Sequence, residues 1–198
     1  MKEKKFFNSF QKSINETIKV KKSLINSSEQ INKSIKIMTK VIQNGGKVML
    51  CGNGGSAADA QHLAAEFLIR LRPKVNRNPL PMISLATDTS TLTACGNDYN
   101  FSKIFSRPFE ALSKEKDLLL VISTSGNSKN IIEVVKYAKS KKIKTIGFSG
   151  FKGGYLKRNS NISVHVNSQN YGMSEDSHHI LMHLTLQYLI WNLKKKKN

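Results

Sequence analysis

Short apolar runs that alternate with helical patterns constrain the fold of this chain more than any other feature. Strand-length runs are closed by Gly, Ser, Thr or Asn and lie at 48–51, 82–86, 118–122, 145–148 and 162–166. Helical stretches separate them at about 56–71, 89–95, 101–114 and 129–140. Strands that alternate with helices assemble as parallel βαβ units, so the pattern predicts an α/β fold.

Amphipathic helices flank this alternating region. Apolar residues keep a three-to-four spacing from Phe6 to Ile18 and again from Ile31 to Ile42, which predicts two N-terminal helices. A long C-terminal helix is expected over about 174–193, and 72–81 reads as a loop. With 198 residues the chain fits one domain, divided into an N-terminal helical arm (1–45), a core (46–193) and a basic tail (194–198).

The charge balance favours anionic ligands. The chain has 32 Lys and Arg against 13 Asp and Glu, a net charge of +19. A field of this sign raises the rate at which anions arrive, whether they are phosphorylated metabolites or nucleic acids. The sequence shows neither a recognition helix nor basic residues interleaved with aromatic ones, so a solvated lysine-rich surface is favoured and a nucleic-acid partner is not.

The cysteine pattern and the absence of long apolar stretches indicate in which cellular compartment the protein is expected. Cys51 and Cys95 are far apart and lack CxxC spacing, which indicates neither a disulfide framework nor a zinc knuckle. The N-terminus has no signal-peptide apolar region, and no stretch reaches about 18 apolar residues. We therefore expect a cytoplasmic protein without membrane insertion.

Two turns after predicted strands carry the features of an anion site. The first is Gly52-Asn53-Gly54-Gly55-Ser56, and the second is Ser123-Thr124-Ser125-Gly126-Asn127-Ser128. Glycine lets backbone N–H groups approach an anion, the next helix N-terminus adds partial positive charge, and the second turn offers four hydroxyls. Either Ser56 or Ser128 alone is equally consistent with a helix cap. Neither turn is a dinucleotide or Walker sequence, so no nucleotide cofactor is expected.

Two helices contribute candidate proton-transfer or metal residues. His62 and Glu66 are four residues apart, so both leave one face of the helix after the first turn. On the C-terminal helix, Glu175, His179 and His183 follow at successive four-residue steps. A metal site, an acid–base site and a polar helix face all remain open. Glu175 and His183 are separated by about 12 Å of helix, so one ion shared by both needs a helix break or a second chain.

Five segments together resemble the sugar isomerase (SIS) domain family and, within it, the phosphoheptose isomerases. They are CGNGGS, the His62–Glu66 pair, Cys95-Gly96-Asn97-Asp98, ISTSGNS and HHILMH, in the family's order over about 30–193. The resemblance implies a three-layer αβα sandwich with a five-stranded parallel sheet. It also implies homotetramers whose active sites lie between subunits.

The resemblance further implies an activity and its residues. The expected reaction is isomerisation of sedoheptulose 7-phosphate to D-glycero-D-manno-heptose 7-phosphate, for heptose units of lipopolysaccharide or capsule, without a nucleotide or redox cofactor. Glu66 and His183 are expected to transfer protons. Zinc is bound in some members, here through the positions of His62, Glu66, Glu175 and His183. The phosphate and sugar are expected to contact Asn53, Gly54, Gly55, Ser56, Glu66, Asn97, Asp98, Ser123, Thr124, Ser125, Ser128 and Glu175.

One position departs from the family pattern. Glu175 stands where the family usually has glutamine, so the exact ketose phosphate and the need for zinc are less constrained than the fold. The competing hypotheses are an isomerase for another ketose phosphate and a non-catalytic member that binds phosphosugars or associates with the replication initiator, since one fold serves several functions.

Overall fold

A five-stranded parallel sheet forms the centre of the protein, which is a computed structural model describing residues 3–71 and 76–195. The strands lie in the order β2-β1-β3-β4-β5. The predicted α/β fold is confirmed, although two strands end one or two residues early. The strands are β1 Val48–Cys51, β2 Met82–Ser84, β3 Leu118–Ser123, β4 Lys144–Ser149 and β5 Ile162–His165.

The described residues form eight α-helices and two short 3₁₀ segments. The 3₁₀ segments are Leu24–Ser27 and Phe101–Lys103. Helices α2, α3 and α8 supply one core against the sheet, and α4 to α7 supply the other. The helices are α1 Glu3–Ser23, α2 Ser28–Gln43, α3 Gly55–Leu68, α4 Thr89–Asp98, α5 Ser106–Leu112, α6 Lys129–Ser140, α7 Gly154–Asn159 and α8 Tyr171–Lys195.

Alternation along the strands divides the interior into two cores. In β1, Val48 and Leu50 join the core under α2, α3 and α8, whereas Met49 and Cys51 join the opposite core. Both faces of the sheet are therefore covered, which is why its central strands read as continuous apolar runs. The two cores hold the strand ends in fixed positions.

The central pairing places the two predicted anion-binding turns side by side. Strand β1 pairs with β3, with Cys51 opposite Val121, and each strand runs directly into its turn. Strand order reverses between β1 and β3, and ligands of open α/β sheets bind at the carboxyl edge beside such a reversal. The fold therefore points to this edge as the location of the site.

One helix prediction was wrong, and one helix was not predicted. Residues 101–114 do not form one helix, because the 3₁₀ segment Phe101–Lys103 is separated from α5. Pro108 has no N–H for a bond to the carbonyl four residues earlier, so it is accommodated in the first turn of a new helix. Helix α7 was not predicted, and α8 begins three residues earlier than expected. Residues 72–75 and 196–198 of the predicted loop and tail lie outside the described residues.

Helix α1 is the least covered element of the fold. It contacts α8 but has no buried residue. Its apolar stripe is roughly half exposed and consists of Phe6, Phe7, Phe10, Ile14 and Ile18. Across residues 3–71 and 76–195, no helix is both long enough and apolar enough to cross a bilayer.

Candidate active site

The first turn brings the N-terminus of α3 to the carboxyl edge of the sheet. Gly54 has a φ of +54°, which favours glycine, and a Cβ there would meet nothing within 4 Å. Helix α3 begins at Gly55, so Ser56 lies one residue inside the helix and is not its cap. The turn thus offers open space next to backbone N–H groups at a helix N-terminus, which is the environment that an anion requires.

The second turn is held in shape by its own hydroxyls and by the first turn of α7. Ser123 Oγ accepts a hydrogen bond from the Gly126 N–H at 3.2 Å, and Ser125 Oγ accepts one from the Asn127 N–H at 3.3 Å. Asn127 Oδ1 accepts a bond from the Tyr155 N–H at 2.8 Å. Ser128 occupies the cap position of α6, but its side chain makes no capping hydrogen bond. Capping therefore does not account for this hydroxyl.

A reciprocal amide pair joins the two turns. Asn53 Nδ2 donates to Asn130 Oδ1 at 3.0 Å, and Asn130 Nδ2 donates to Asn53 Oδ1 at 2.8 Å. Asn130 is buried in the first turn of α6. Sequence reasoning assigned Asn53 to the sugar and missed Asn130 entirely. The pair holds the start of α3 against the start of α6.

Three histidines from two helices form the centre of the site, which we call the histidine cluster: His62 on α3 and His179 and His183 on α8. His183 Nε2 lies 3.1 Å from both His62 Nε2 and His179 Nε2. Together the three residues offer ring nitrogens that all lie within 4.8 Å of one another. On the outer side, His179 Nδ1 lies 2.9 Å from Asp59 Oδ1.

Glu66 lies next to this cluster. Its Oε1 is 4.0 Å from His62 Nε2, and its Oε2 is buried without a hydrogen-bond partner among the described residues. Arg77 donates to the backbone carbonyls of Glu66 and Phe67, which closes the C-terminal end of α3. A buried carboxylate oxygen without a partner costs stability, so such an atom commonly marks a site where a ligand or proton is handled.

Burial and neighbouring imidazoles affect the charge of His183. Burial lowers the pKa of His183, and the adjacent His179 and His62 lower it further, while Glu66 and Asp59 oppose this shift. The neutral form, which offers a nitrogen lone pair, is therefore favoured. Burial also lowers the pKa of His178 to about 4, but that ring packs edge-on against Phe148 and takes no part in the cluster.

The structure places the remaining predicted residues at other parts of the site. The Glu175 carboxylate lies 2.9–3.1 Å from the position that a Cβ on Gly55 would take, so Glu175 adjoins the first turn and is not part of the histidine cluster. Asn97 and Asp98 bond to each other at the exposed end of α4. Of the four residues expected at zinc, His62, Glu66 and His183 lie together, and Glu175 lies beside Gly55.

His179 and Asp59 complete the arrangement; the sequence offered His179 as a candidate that the family resemblance did not include, and it did not suggest Asp59. The sequence did contain a signal for His179, since it stands four residues from both Glu175 and His183. No sequence signal paired Asp59 with it, because the two residues belong to different helices. Three converging imidazoles fit a divalent transition metal such as zinc, for which neutral histidine is a usual ligand.

Comparisons with known proteins give the same picture over most of the chain. The SIS domain model matches residues 9–150. The chain is 45% identical over 163 residues to the phosphoheptose isomerase of Campylobacter concisus, covering 82% of this chain and 85% of that protein. A phosphoheptose isomerase structure from Francisella tularensis matches with a TM-score of 0.86 and 36% identity, covering 96% of this chain and 98% of that one.

A second solved structure is similar to this chain to almost the same degree. The phosphoheptose isomerase of Neisseria gonorrhoeae matches with a TM-score of 0.83 and 35% identity, covering 93% of this chain and 98% of that one. The likeness thus extends through the sheet, both turns and helix α8.

Proposed function

This chain belongs to the SIS domain family and, within it, to the phosphoheptose isomerases, and from that premise we propose that it converts sedoheptulose 7-phosphate to D-glycero-D-manno-heptose 7-phosphate. Membership makes it an enzyme of the aldose–ketose isomerase class. The observation that carries the proposal is that Glu66, His62 and His183 meet within one chain, on α8 and on helix α3, which starts at the first turn. A phosphorylated sugar then has an anchor and a proton-transfer group in one site.

The reaction moves one proton between neighbouring carbons. Removing a proton from C1 of the ketose gives an enediol, and returning a proton to C2 gives the aldose. In the proposal the Glu66 carboxylate takes and returns the carbon proton, and its buried, unpartnered Oε2 supports that role. When no ion is bound at the histidine cluster, His183, whose neutral form is favoured by burial and by its neighbours, exchanges protons with the two oxygens. A metal bound at the histidine cluster would supply Lewis acidity toward these oxygens.

The phosphate is proposed to anchor the substrate at the two turns. Support comes from the open backbone at Gly54, from the hydroxyl of Ser128 that forms no cap, and from the partial positive charge of two helix N-termini. The proposed phosphate contacts are Ser56, Ser123, Thr124, Ser125 and Ser128. Asn97 and Asp98 remain proposed contacts of the sugar, and Glu175 a contact near the first turn.

The experiment is an isomerase assay with sedoheptulose 7-phosphate and a panel of other ketose phosphates. Glu66→Gln should lower kcat by about 10²–10⁴-fold, because a positioned acid–base group contributes that much. The matched control is Glu133→Gln, since Glu133 is a carboxylate on α6 that pairs with Lys103 at 2.7 Å. If Glu66→Gln folds normally and keeps near-normal turnover, Glu66 does not transfer the carbon proton.

The rival function is a non-catalytic phosphosugar sensor or an initiator-associated protein of the same fold. A buried carboxylate oxygen without a hydrogen-bond partner costs stability, and a non-catalytic protein gains nothing in return. Among the described residues, Glu66 Oε2 is such an atom. Binding of sugar phosphates without any turnover by the metal-loaded protein would favour this rival.

We also propose a homotetramer whose active sites are completed between subunits. Helix α1 supports this, since its apolar stripe has no cover within one chain. A groove of about 620 Å³ beside α8, lined by Leu24, Ile25, Leu184 and Trp191 among others, offers a surface of matching character. We further propose a cytoplasmic location, supported by the free thiols of Cys51 and Cys95, and a role in making heptose units of lipopolysaccharide or capsule.

A further inference from the structure

We propose that Phe151 and Tyr171, here called the aromatic pair, form an apolar wall of the active site that packs against the carbon chain of the substrate. With this wall the site binds a sugar phosphate more tightly than inorganic phosphate, which has no carbon chain. The inference rests on the proposed function, because it takes the bound molecule to be a sugar phosphate held at the two turns.

The aromatic pair joins the loop after β4 to the start of α8. The two ring centroids are 4.6 Å apart with an angle of 53° between the ring planes, a separation at which aromatic rings attract each other. Phe151 is partly buried, whereas Tyr171, the first residue of α8, is 62% exposed. The pair therefore presents aromatic surface that one chain leaves largely uncovered.

The loop that carries Phe151 packs directly on the second turn. The Gly150 N–H donates a hydrogen bond to the Thr124 carbonyl oxygen at 2.9 Å. The Phe151 N–H donates one to the Ser168 carbonyl oxygen, also at 2.9 Å, shortly before α8 begins. Phe151 is therefore held between the second turn and the N-terminus of α8.

Tyr171 lies on the face of α8 that meets the rest of the site. Residues three and four positions apart share a helix face, so Tyr171 shares one with Ser174 and Glu175. A Cβ on Gly150 would lie 2.7 Å from Ser174 Oγ, and one on Gly55 would lie 2.9 Å from Glu175 Oε1. This face therefore meets both the loop after β4 and the first turn, and Tyr171 lies about 6 Å along the helix axis from Glu175.

The backbone of Phe151 has a conformation that helix termination does not explain. Its φ is +47°, and among the described non-glycine residues only Lys142 also has a positive φ. Lys142 directly follows the C-terminal cap of α6, where a left-handed residue commonly ends a helix. Phe151 instead follows a strand, in a loop that already uses Gly150 and Gly153. A bulky residue with positive φ costs stability, and such residues cluster at functional sites, so we infer a use for the ring.

The position of the aromatic pair fits the middle of the substrate. In the proposed function the phosphate lies at the two turns and the reacting carbons lie at Glu66, so the remaining carbons cross the space between them. Small-molecule sites are lined mainly by apolar and aromatic side chains, while a few polar groups fix the orientation of the ligand. The aromatic pair is such a lining beside the second turn, and it contacts the carbons nearest the phosphate.

The test compares the binding of sedoheptulose 7-phosphate with that of inorganic phosphate by isothermal titration calorimetry. All proteins carry Glu66→Gln, so that turnover of the sugar is slowed during the titration. Phe151→Gly and Tyr171→Ala should each raise the dissociation constant of the sugar phosphate by about 2- to 12-fold, the usual contribution of one aromatic contact. The dissociation constant of inorganic phosphate should stay within about twofold, because the helix N-termini and turns that bind it are unchanged.

Control variants separate this role from a purely structural one. Lys142→Gly relieves the other positive-φ position, at the end of α6 away from the site, and should change neither dissociation constant. The conservative changes Phe151→Tyr and Tyr171→Phe should keep native affinity for the sugar phosphate. The melting temperature of Phe151→Gly should fall by no more than about 4 °C, because relief of the backbone strain offsets the lost ring contact.

The outcomes for the aromatic pair and for the proposed function are distinguishable. Unchanged sugar phosphate binding in Phe151→Gly and Tyr171→Ala, or equal weakening of sugar phosphate and inorganic phosphate, would overturn the inference. Normal isomerisation by the native chain would leave the proposed function standing in that case. A native chain that isomerises no ketose phosphate, but whose sugar phosphate binding depends on the aromatic pair, would instead overturn the proposed function alone.

Discussion

The amide pair of Asn53 and Asn130 shows how single side chains set the distance between the two anion-binding turns. Each amide donates to and accepts from the other, and Asn130 is 1% exposed. Removing Asn53 leaves the buried Asn130 amide without its two bonds to Asn53, although Asn130 Oδ1 still accepts one from the Ile131 N–H, and such a loss costs about 1–3 kcal/mol. The turns would then be free to separate.

We expect the two positions to be coupled in a double-mutant cycle. Asn53→Ala and Asn130→Ala should together cost less than the sum of the single changes, with an interaction energy of about 0.5–3 kcal/mol in urea unfolding. Asn130→Ala should also raise KM for the sugar phosphate. Asn161, which accepts a bond from the Thr145 N–H at the opposite edge of the sheet, supplies the additive control pair with Asn130. Additivity of Asn53 with Asn130 would contradict this interpretation.

Gly126 is the residue of the second turn that tolerates no side chain. Its φ is +64°, and a Cβ there would lie 2.1 Å from the Gly153 carbonyl oxygen. Gly126→Ala should therefore lower the free energy of unfolding by more than about 1–3 kcal/mol, the usual cost of a strained backbone position.

The matched control is Gly96→Ala in α4. A Cβ on Gly96 meets nothing within 4 Å, and its φ is not positive. Alanine within a helix should stabilise it by about 0.5–1 kcal/mol. Equal effects of the two changes on the denaturation midpoint would contradict the packing described for Gly126.

At the scale of elements, an ion-pair network ties α6 to the 3₁₀ segment before α5. Glu133 lies 2.7 Å from Lys103 Nζ and 3.6 Å from Lys136 Nζ. The hydrogen bond from Lys103 is the main cause that lowers the pKa of Glu133 below its ordinary value of 4.5. The stabilisation is present above the unfolded-state pKa and is lost as the pH falls through the lower folded-state value.

Glu133→Gln should accordingly cost no more than about 1 kcal/mol at neutral pH, since the side chains are partly exposed and solvent screens the pair. The difference from the native chain should shrink as the pH falls below 4.5. Urea unfolding at a series of pH values measures this. A difference that grows toward acid pH would show that the pair does not act as described.

The sequence predicted the elements that have a clear hydrophobic pattern, and it missed those that depend on contacts between distant segments of the folded chain. Strand β3 and helix α6 were located to within a residue, because one is a buried apolar run and the other is cleanly amphipathic. Helix α7 has only six residues and depends on Gly153 and Gly154 with positive φ, which leaves no periodic signal. For the site, both turns and His62 with Glu66 were recognisable, whereas the contact of Asp59 with His179 and that of Asn53 with Asn130 exist only after folding.

For the whole molecule, the exposed stripe of α1 makes self-association the expected state. Light scattering after size exclusion should give the mass of four chains. Phe7→Ser combined with Phe10→Ser should lower that mass, since both side chains are 57% exposed in the single chain and need a partner's surface for cover.

Asn8→Ser, on the same helix, supplies the control and should leave the assembly intact. A native chain that runs as a monomer at micromolar concentration would contradict the proposed tetramer.

Helix α8 contributes to three parts of the protein. Glu175 lies beside the first turn, His179 and His183 belong to the histidine cluster, and Leu186 and Leu189 pack in the core. One residue inserted between Glu175 and His179 would rotate everything beyond it by about 100° relative to Glu175. Either the cluster or the core would then lose its alignment. The spacing within α8 is therefore a stricter requirement than the identity of most of its exposed residues, and length variation in this protein should be confined to segments outside this helix.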